Sequence, residues 1–318
     1  MKISLTLLLI SITLLSNAQF IELPTTDPNP GHLKAKLHLS SKQTSEALPL
    51  VVVLHGCYQD AEKIAHDADW NRLSDSLGFH VLYPEQLLRN NLSTCYNWFI
   101  EKDIKKNSGE VYSIHLMIEQ VQKSYSIDKN KIFVYGVSAG GAMASALLVD
   151  YPETFNAGAV LAGAPFGIAT NAGQGMSAMI NPKDLKPSEW ATIAREQNPG
   201  YKGAYPRIVV MHGTGDDIVS VKAGFELVEQ FLALNDCAVQ PTTTTKAFQE
   251  NEAITKLTYS NKANEERVVF YEFNKWGHFV PVDPGTGPLQ GGQLGMFAKD
   301  VDFFSTIWIL KDWGLITP

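Results

Sequence analysis

Three residues of this sequence could together carry nucleophilic acyl transfer: Ser138, Asp216 and His278. Ser138 stands in Gly136-Val137-Ser138-Ala139-Gly140, a G-x-S-x-G pattern. That pattern is common by chance, so its surroundings decide its weight. A β-rich run at 132–135 precedes it, and small, helix-compatible residues fill 141–148 after it. This is the strand–turn–helix setting of a nucleophile elbow, where the turn is so tight that only small neighbours let strand and helix approach. A neutral serine is a weak nucleophile, so it needs a base. His278 would accept its proton and return it to the leaving alcohol, while Asp216 would fix the ring's tautomer and stabilise the imidazolium. The order along the chain is Ser, Asp, His, each just past an apolar strand-like run. The neighbouring Asp217 stays open as the acid.

Negative charge developing on the substrate carbonyl requires N–H donors. The helix N-terminus behind Ser138 offers that of Ala139. The apolar run Leu48–Leu54 (LPLVVVL) ends in His55-Gly56-Cys57-Tyr58, where Gly56 permits close approach and the N–H of Cys57 is the second candidate. A simple strand-ending turn is the competing reading. His55 reads as support for this loop rather than as a base.

The remaining chain must position these groups. Buried-type runs at 32–39, 48–54, 79–83, 132–135, 155–164, 205–211 and 266–274 read as strands, with Pro84 ending the third. Residues 127–130 read as a turn leading into the elbow strand. Helical spacing is found at 61–77, 110–125, 221–234 and 297–310, besides the elbow helix. Strands alternating with helices predict an α/β fold with a mainly parallel sheet and helices on both faces. Residues 167–203, rich in Gly, Asn and Pro, read as an excursion or lid whose Met176 and Met179 either line a pocket or pack locally. The threonine-rich 240–262 has no clear place. Within the polar 85–106 segment, Cys95-Tyr96-Asn97-Trp98-Phe99 is either minor core or a substrate-stacking wall.

The chain has 318 residues, 45% hydrophobic and 19% charged, with net charge −7. That balance gives no electrostatic case for nucleic acid or an anionic membrane as partner. Met1-Lys2, the apolar 3–15 and the small residues 16–18 read as a signal peptide, too short for a lasting anchor. No cysteine lies near the cleavage point, so no lipid anchor is expected. The expectation is a single catalytic domain, 19–318, secreted to the extracellular or periplasmic space without a membrane anchor. Export permits disulfides, and the three cysteines, Cys57, Cys95 and Cys237, allow one at most. None lies in an elbow-like context, which disfavours a cysteine nucleophile. Metal-ligand spacing, a dinucleotide fingerprint and a phosphate loop are all missing, so no cofactor or metal is implied.

Five stretches carry a family resemblance: Leu54-His55-Gly56-Cys57-Tyr58-Gln59; Ala68-Asp69-Trp70-Asn71 with Gly78-Phe79 and Tyr83-Pro84-Glu85-Gln86; Cys95-Tyr96-Asn97-Trp98-Phe99; 135–143; and 212–219. They resemble the poly(3-hydroxybutyrate) depolymerase family of esterases, which also covers feruloyl and acetylxylan esterases. The resemblance runs from about Leu48 to the end and is specific in its first two-thirds. It implies an α/β-hydrolase fold, Ser138 as nucleophile, Asp216 as acid and His278 as base. It further implies a Cys57–Cys95 disulfide tying the oxyanion loop to the aromatic loop, with Trp98 near the substrate; Tyr58 is the other expected substrate-binding residue. The family's common Cys-Trp-Asn-Trp reads Cys95-Tyr96-Asn97-Trp98 here, a change within the expected substrate wall. No linker or polymer-binding domain is visible, which favours soluble oligomers or ester-decorated polysaccharide over crystalline polyester.

The expected function is therefore a serine esterase acting on short hydroxyacyl esters through an acyl-enzyme. Feruloyl or acetylxylan esterase is the alternative: a large aromatic pocket around Trp98 would favour feruloyl groups, a shallow one acetyl. A non-catalytic binding protein of this fold typically loses a triad member, and none is lost here. A serine peptidase would use the same triad, and only the resemblance argues against it.

Overall fold

Alternation within one strand shows how the molecule is layered. Leu50, Val52 and Leu54 pack into one apolar cluster and Val51 and Val53 into another, all fully buried. A strand that is apolar on both faces belongs at the centre of a sheet covered on both sides. The structure, a computed structural model, describes residues 20–42 and 44–316. The expected signal segment, 1–18, lies outside them.

Among the described residues one sheet contains β1 (Ile21–Glu22), β2 (Lys34–His38), β3 (Leu48–Leu54), β4 (His80–Glu85), β5 (Ile127–Val137), β6 (Ala157–Leu161), β7 (Arg207–Gly213), β8 (Thr243–Lys246), β9 (Ile254–Ser260) and β10 (Glu266–Phe273). Their order across the sheet is β1-β2-β4-β3-β5-β6-β7-β10-β9-β8. The strands from β4 to β10 pair in parallel, and the two at either margin pair antiparallel. A small parallel pair, β11 (Val280–Val282) with β12 (Ala298–Asp300), lies apart.

The helices are α1 (Ala61–Asp67), α2 (Trp70–Leu77), α3 (Glu101–Ile104), α4 (Gly109–Ser124), α5 (Ala139–Asp150), α6 (Ala172–Ile180), α7 (Pro187–Arg195), α8 (Val221–Leu234) and α9 (Ser305–Asp312). Ile114 and Ile118 of α4, Leu147 of α5 and Phe231 of α8 bury one face of the sheet. Ile64 of α1, Trp70 of α2 and Leu310 of α9 bury the other. Each fully buried aliphatic side chain contributes about 1.5–3 kcal/mol. This is the mainly parallel α/β arrangement that the hydrophobic pattern predicts.

Four elements depart from the sequence reading, each for a local reason. The helix predicted over 61–77 breaks at Asp69, which adopts φ 59°. Its carboxylate is engaged by Arg72 Nε (2.5 Å) and Gly292 N (3.2 Å). Strand β4 continues through Pro84 because pairing with β3 stops at Leu82, so proline's missing N–H interrupts no rung of that ladder. The turn expected at 127–130 is a bulge within β5: Ile127 pairs with Leu48 and Ile132 already with Leu50. The terminal helix begins at Ser305 rather than 297, since Ala298–Asp300 pairs with β11 instead.

Candidate active site

Ser138 joins β5 to α5 at φ 56°, ψ −122°, a left-handed backbone that costs a non-glycine residue about 1–3 kcal/mol. It persists because its surroundings fix it. Ser138 N donates to Leu161 O on β6 (2.8 Å). A Cβ on Gly136 would collide with the Gly140 carbonyl, and one on Gly140 with the carbonyls of Leu54 and His55 at the end of β3. The two glycines therefore let the elbow close on itself and on the neighbouring strand.

Two loops lace together to hold Asp216 against His278. After β7, Thr214 N donates to Phe273 O (2.8 Å) and Gly215 N to Trp276 O (2.9 Å). Lys275 N returns to Thr214 Oγ1 (2.8 Å), and Trp276 stacks on Phe273 with centroids 4.6 Å apart. His278 Nδ1 donates to Asp216 Oδ2 at 2.7 Å. The other carboxylate oxygen accepts from Ile218 N (2.9 Å) and Val219 N (2.8 Å). Behind them His212 Nε2 donates to Val219 O (2.9 Å) and lies 3.4 Å from Asp216 Oδ2. Burial alone would raise the Asp216 carboxyl, but hydrogen bonds from His212 and His278 outweigh it and hold the group below the usual carboxylate range. Asp217 is exposed and makes no hydrogen bond or ion pair with His278 among the described residues. The structure thus brings Asp216, of the two neighbours, to the histidine.

The opposite wall is the loop after β3. A Cβ on Gly56 would lie 3.5 Å from that of Ser138, so this backbone passes directly beside the serine. Both polar groups of Gly56 are held: its N–H by Gln59 Oε1 (2.9 Å), its carbonyl by His55 Nδ1 (2.7 Å). Gln59 is oriented in turn by Asp67 Oδ2 (3.0 Å). His55 is fully buried, which lowers its pKa, and its Nε2 accepts from Gln86 N (3.1 Å). The N–H groups of Cys57 and Ala139 have no partner among the described residues.

Cys57 is disulfide-bonded to Cys95, and Cys237 is a free thiol whose pKa burial pushes up to about 11. A buried polar chain runs parallel to the disulfide. Glu110 accepts from Asn97 N (2.7 Å), Asn97 Nδ2 (2.6 Å) and Gln86 Nε2 (2.5 Å). Gln86 also donates to Cys95 O (3.1 Å). Burial pushes Glu110 up to about 8, against the pull of the Asn97 and Gln86 hydrogen bonds. The sequence pattern assigns no role to Gln59, Gln86, Glu110 or Asp67, although Gln59 and Gln86 fall within the stretches that carry the family resemblance. Their signal in the sequence was polarity at positions that a helix or loop leaves to solvent.

Ser138 and the disulfide border two chambers. One, about 260 Å³, is lined by His278, Tyr58, Ile218 and Phe279. The other, about 290 Å³, is lined by Ala139, Trp98, Phe99 and Met176. Met179 borders both, so α6 of the 167–203 excursion forms part of the site. Trp98 and Phe99 meet edge-on, centroids 5.4 Å apart.

A strained serine sharing a chamber with an aspartate–histidine pair occurs in many hydrolases, so relatives decide the class. The family model described as esterase PHB depolymerase matches residues 33–255. The chain belongs to this family. It is a carboxylic ester hydrolase with the α/β-hydrolase fold. Among the relatives of this esterase, poly(3-hydroxyalkanoate) depolymerase C of Paucimonas lemoignei is 35% identical over 91% of this chain and 68% of its own length. Feruloyl esterase B of Talaromyces stipitatus is 28% identical over 80% of this chain and 70% of its own. In three dimensions the esterase superposes on an acetyl xylan esterase from Aspergillus awamori with a TM-score of 0.72. That match has 22% identity and covers 82% of this chain and 94% of the other. No helix among the described residues is long and apolar enough to cross a membrane.

Proposed function

We propose that this esterase hydrolyses short hydroxyacyl ester oligomers by acyl transfer to Ser138. The observation that carries the reading is the 2.7 Å His278–Asp216 bond in a chamber that Ser138 shares. His278 Nε2 takes the Ser138 hydroxyl proton as Oγ attacks the ester carbonyl. The tetrahedral oxyanion accepts from the N–H groups of Cys57 and Ala139, free of competing partners. Collapse breaks the ester C–O bond, and His278 returns the proton to the departing alcohol. A water then adds to the acyl-enzyme by the same route in reverse, releasing the acid and regenerating Ser138. Asp216 remains a carboxylate throughout, holding Nδ1 protonated so that Nε2 faces the nucleophile.

The alcohol leaves on the His278 side, and the acyl group occupies the chamber with Trp98 and Phe99. At about 290 Å³ that apolar chamber exceeds what an acetyl group fills, which favours one second reading, an aromatic acyl group such as feruloyl. We further propose that residues 1–18 are removed on export and that 19–318 act as one catalytic domain. The Cys57–Cys95 disulfide supports an oxidising destination.

The test is initial rates of the mature protein and Ser138→Ala on p-nitrophenyl acetate and butyrate, methyl ferulate, acetylated xylan and soluble 3-hydroxybutyrate oligomers. Loss of all turnover in the variant supports the serine mechanism, and the preferred substrate chooses between the two acyl readings. A variant as active as wild type would end it.

A further inference from the structure

A third cavity, about 630 Å³, opens on the far side of Tyr58. Tyr58, Gln59 and Ser93 line both this groove and the chamber containing His278, so the two are contiguous. Tyr58 stands at the junction, 62% exposed with φ 62°. Ser93 fixes it twice, accepting from Tyr58 N (2.7 Å) and donating its hydroxyl to the phenol oxygen (2.9 Å).

The charges lining the groove do not cancel. Lys34 is neutralised by Glu85 (2.8 Å) and Lys63 by Asp60 (2.7 Å). Arg89 has no carboxylate or hydrogen-bond partner among the described residues. On the same wall Leu88 and Leu92 are 64% and 88% exposed. The surface thus offers apolar side chains and one uncompensated guanidinium, on a protein of net charge −7. A guanidinium is permanently charged, and its planar fork matches a carboxylate.

The leaving alcohol of a hydroxyacyl oligomer is itself a hydroxy acid. Its far end carries a carboxyl group, esterified within the chain and free at the terminus. The alcohol of a feruloylated or acetylated saccharide carries no such group by necessity. We propose that this groove receives the alcohol side of the substrate and that Arg89 binds the free terminal carboxylate of the oligomer. The proposal rests on the hydroxyacyl reading above and deepens it. It makes Arg89 a specificity residue that selects chain ends carrying a free acid, at a distance from the scissile bond set by the reach between Ser138 and the groove.

The test compares kcat/KM for 3-hydroxybutyrate trimer and tetramer, each as free acid and as methyl ester, in wild type, Arg89→Gln and Arg89→Glu. Wild type should prefer the free acid on the order of fivefold, the size an exposed ion pair supports, with the difference in KM. Arg89→Gln should abolish the preference and Arg89→Glu reverse it. All three proteins should turn over p-nitrophenyl butyrate equally, which controls for folding. Equal rates on acid and methyl ester in wild type would overturn the proposal while leaving the hydroxyacyl reading intact. So would a preference that survives Arg89→Gln. No turnover of either oligomer form, with p-nitrophenyl butyrate still cleaved, would remove the hydroxyacyl reading and this inference together.

Discussion

The two walls that face Ser138 are built by different means. On the proposed acid–base side, Asp216 and His278 come from two loops joined by hydrogen bonds, and the histidine's own loop is braced by a Phe273–Trp276 stack. On the opposite side, the Gly56–Cys57 backbone is tied covalently to Cys95 and braced by His55, Gln59, Gln86 and Glu110. The difference fits the roles proposed for the two walls. A histidine that passes a proton from nucleophile to leaving group needs a fixed tautomer but a ring able to adjust between two partners. A backbone N–H that stabilises an oxyanion is useful only if its angle is already set when charge develops. The first wall is therefore defined by charge, the second by rigidity.

Changes that attack each wall should separate these roles. The largest effect is expected from Asp216→Asn, which leaves the shape and reverses the hydrogen-bonding sense at His278 Nδ1. Turnover of p-nitrophenyl butyrate should fall by about 10⁴ with KM little altered. The same residue has a pH signature. Its folded pKa is depressed, so its stabilising contribution is full above the unfolded value of about 4 and is lost as pH falls below that. Denaturant melts from pH 6 down to pH 2 should show a shallower loss of stability in Asp216→Asn than in wild type. Replacing both disulfide cysteines by serine should act mainly on rigidity. Stability should drop by about 2–4 kcal/mol, and kcat by less than the 10²–10³ that losing an oxyanion donor outright costs.

Glu110→Gln should be the mildest. Its side-chain nitrogen would face an N–H donor, costing about 1–3 kcal/mol of stability with only a few-fold loss in kcat. Combined with the cysteine replacements its effect should be non-additive, because both restrain the same segment. A kcat loss in Glu110→Gln comparable to that of Asp216→Asn would erase the distinction between the walls.

What the sequence disclosed follows the range of the forces involved. Strand Leu48–Leu54 and helix Val221–Leu234 have the bounds their apolar periodicity predicts, since periodicity is a local property. The elbow is local too, with glycines two before and two after Ser138. The choice between Asp216 and Asp217 is not local. It depends on how the 214–216 and 274–277 backbones interlock across the sheet end, and adjacent carboxylates look alike without that geometry. Glu110 is harder still. Near the start of a helix an acid is ordinary, and only Asn97 and Gln86 arriving from another loop make it part of the site. The break at Asp69 and the late start of α9 likewise answer to the 283–300 region, distant in sequence from one of them and adjacent to the other.

The margins of the sheet carry a consequence of their own. A sheet this broad ends in rows of unpaired backbone groups on which a second chain could template itself. Among the described residues the outermost strands are β1, two residues long, and β8, the four-residue Thr-Thr-Thr-Lys with every side chain exposed. A two-residue edge on one side and a short polar edge ending in lysine on the other give an incoming strand little to zip against. Growth of the sheet by addition of a further strand is thus disfavoured at both described margins.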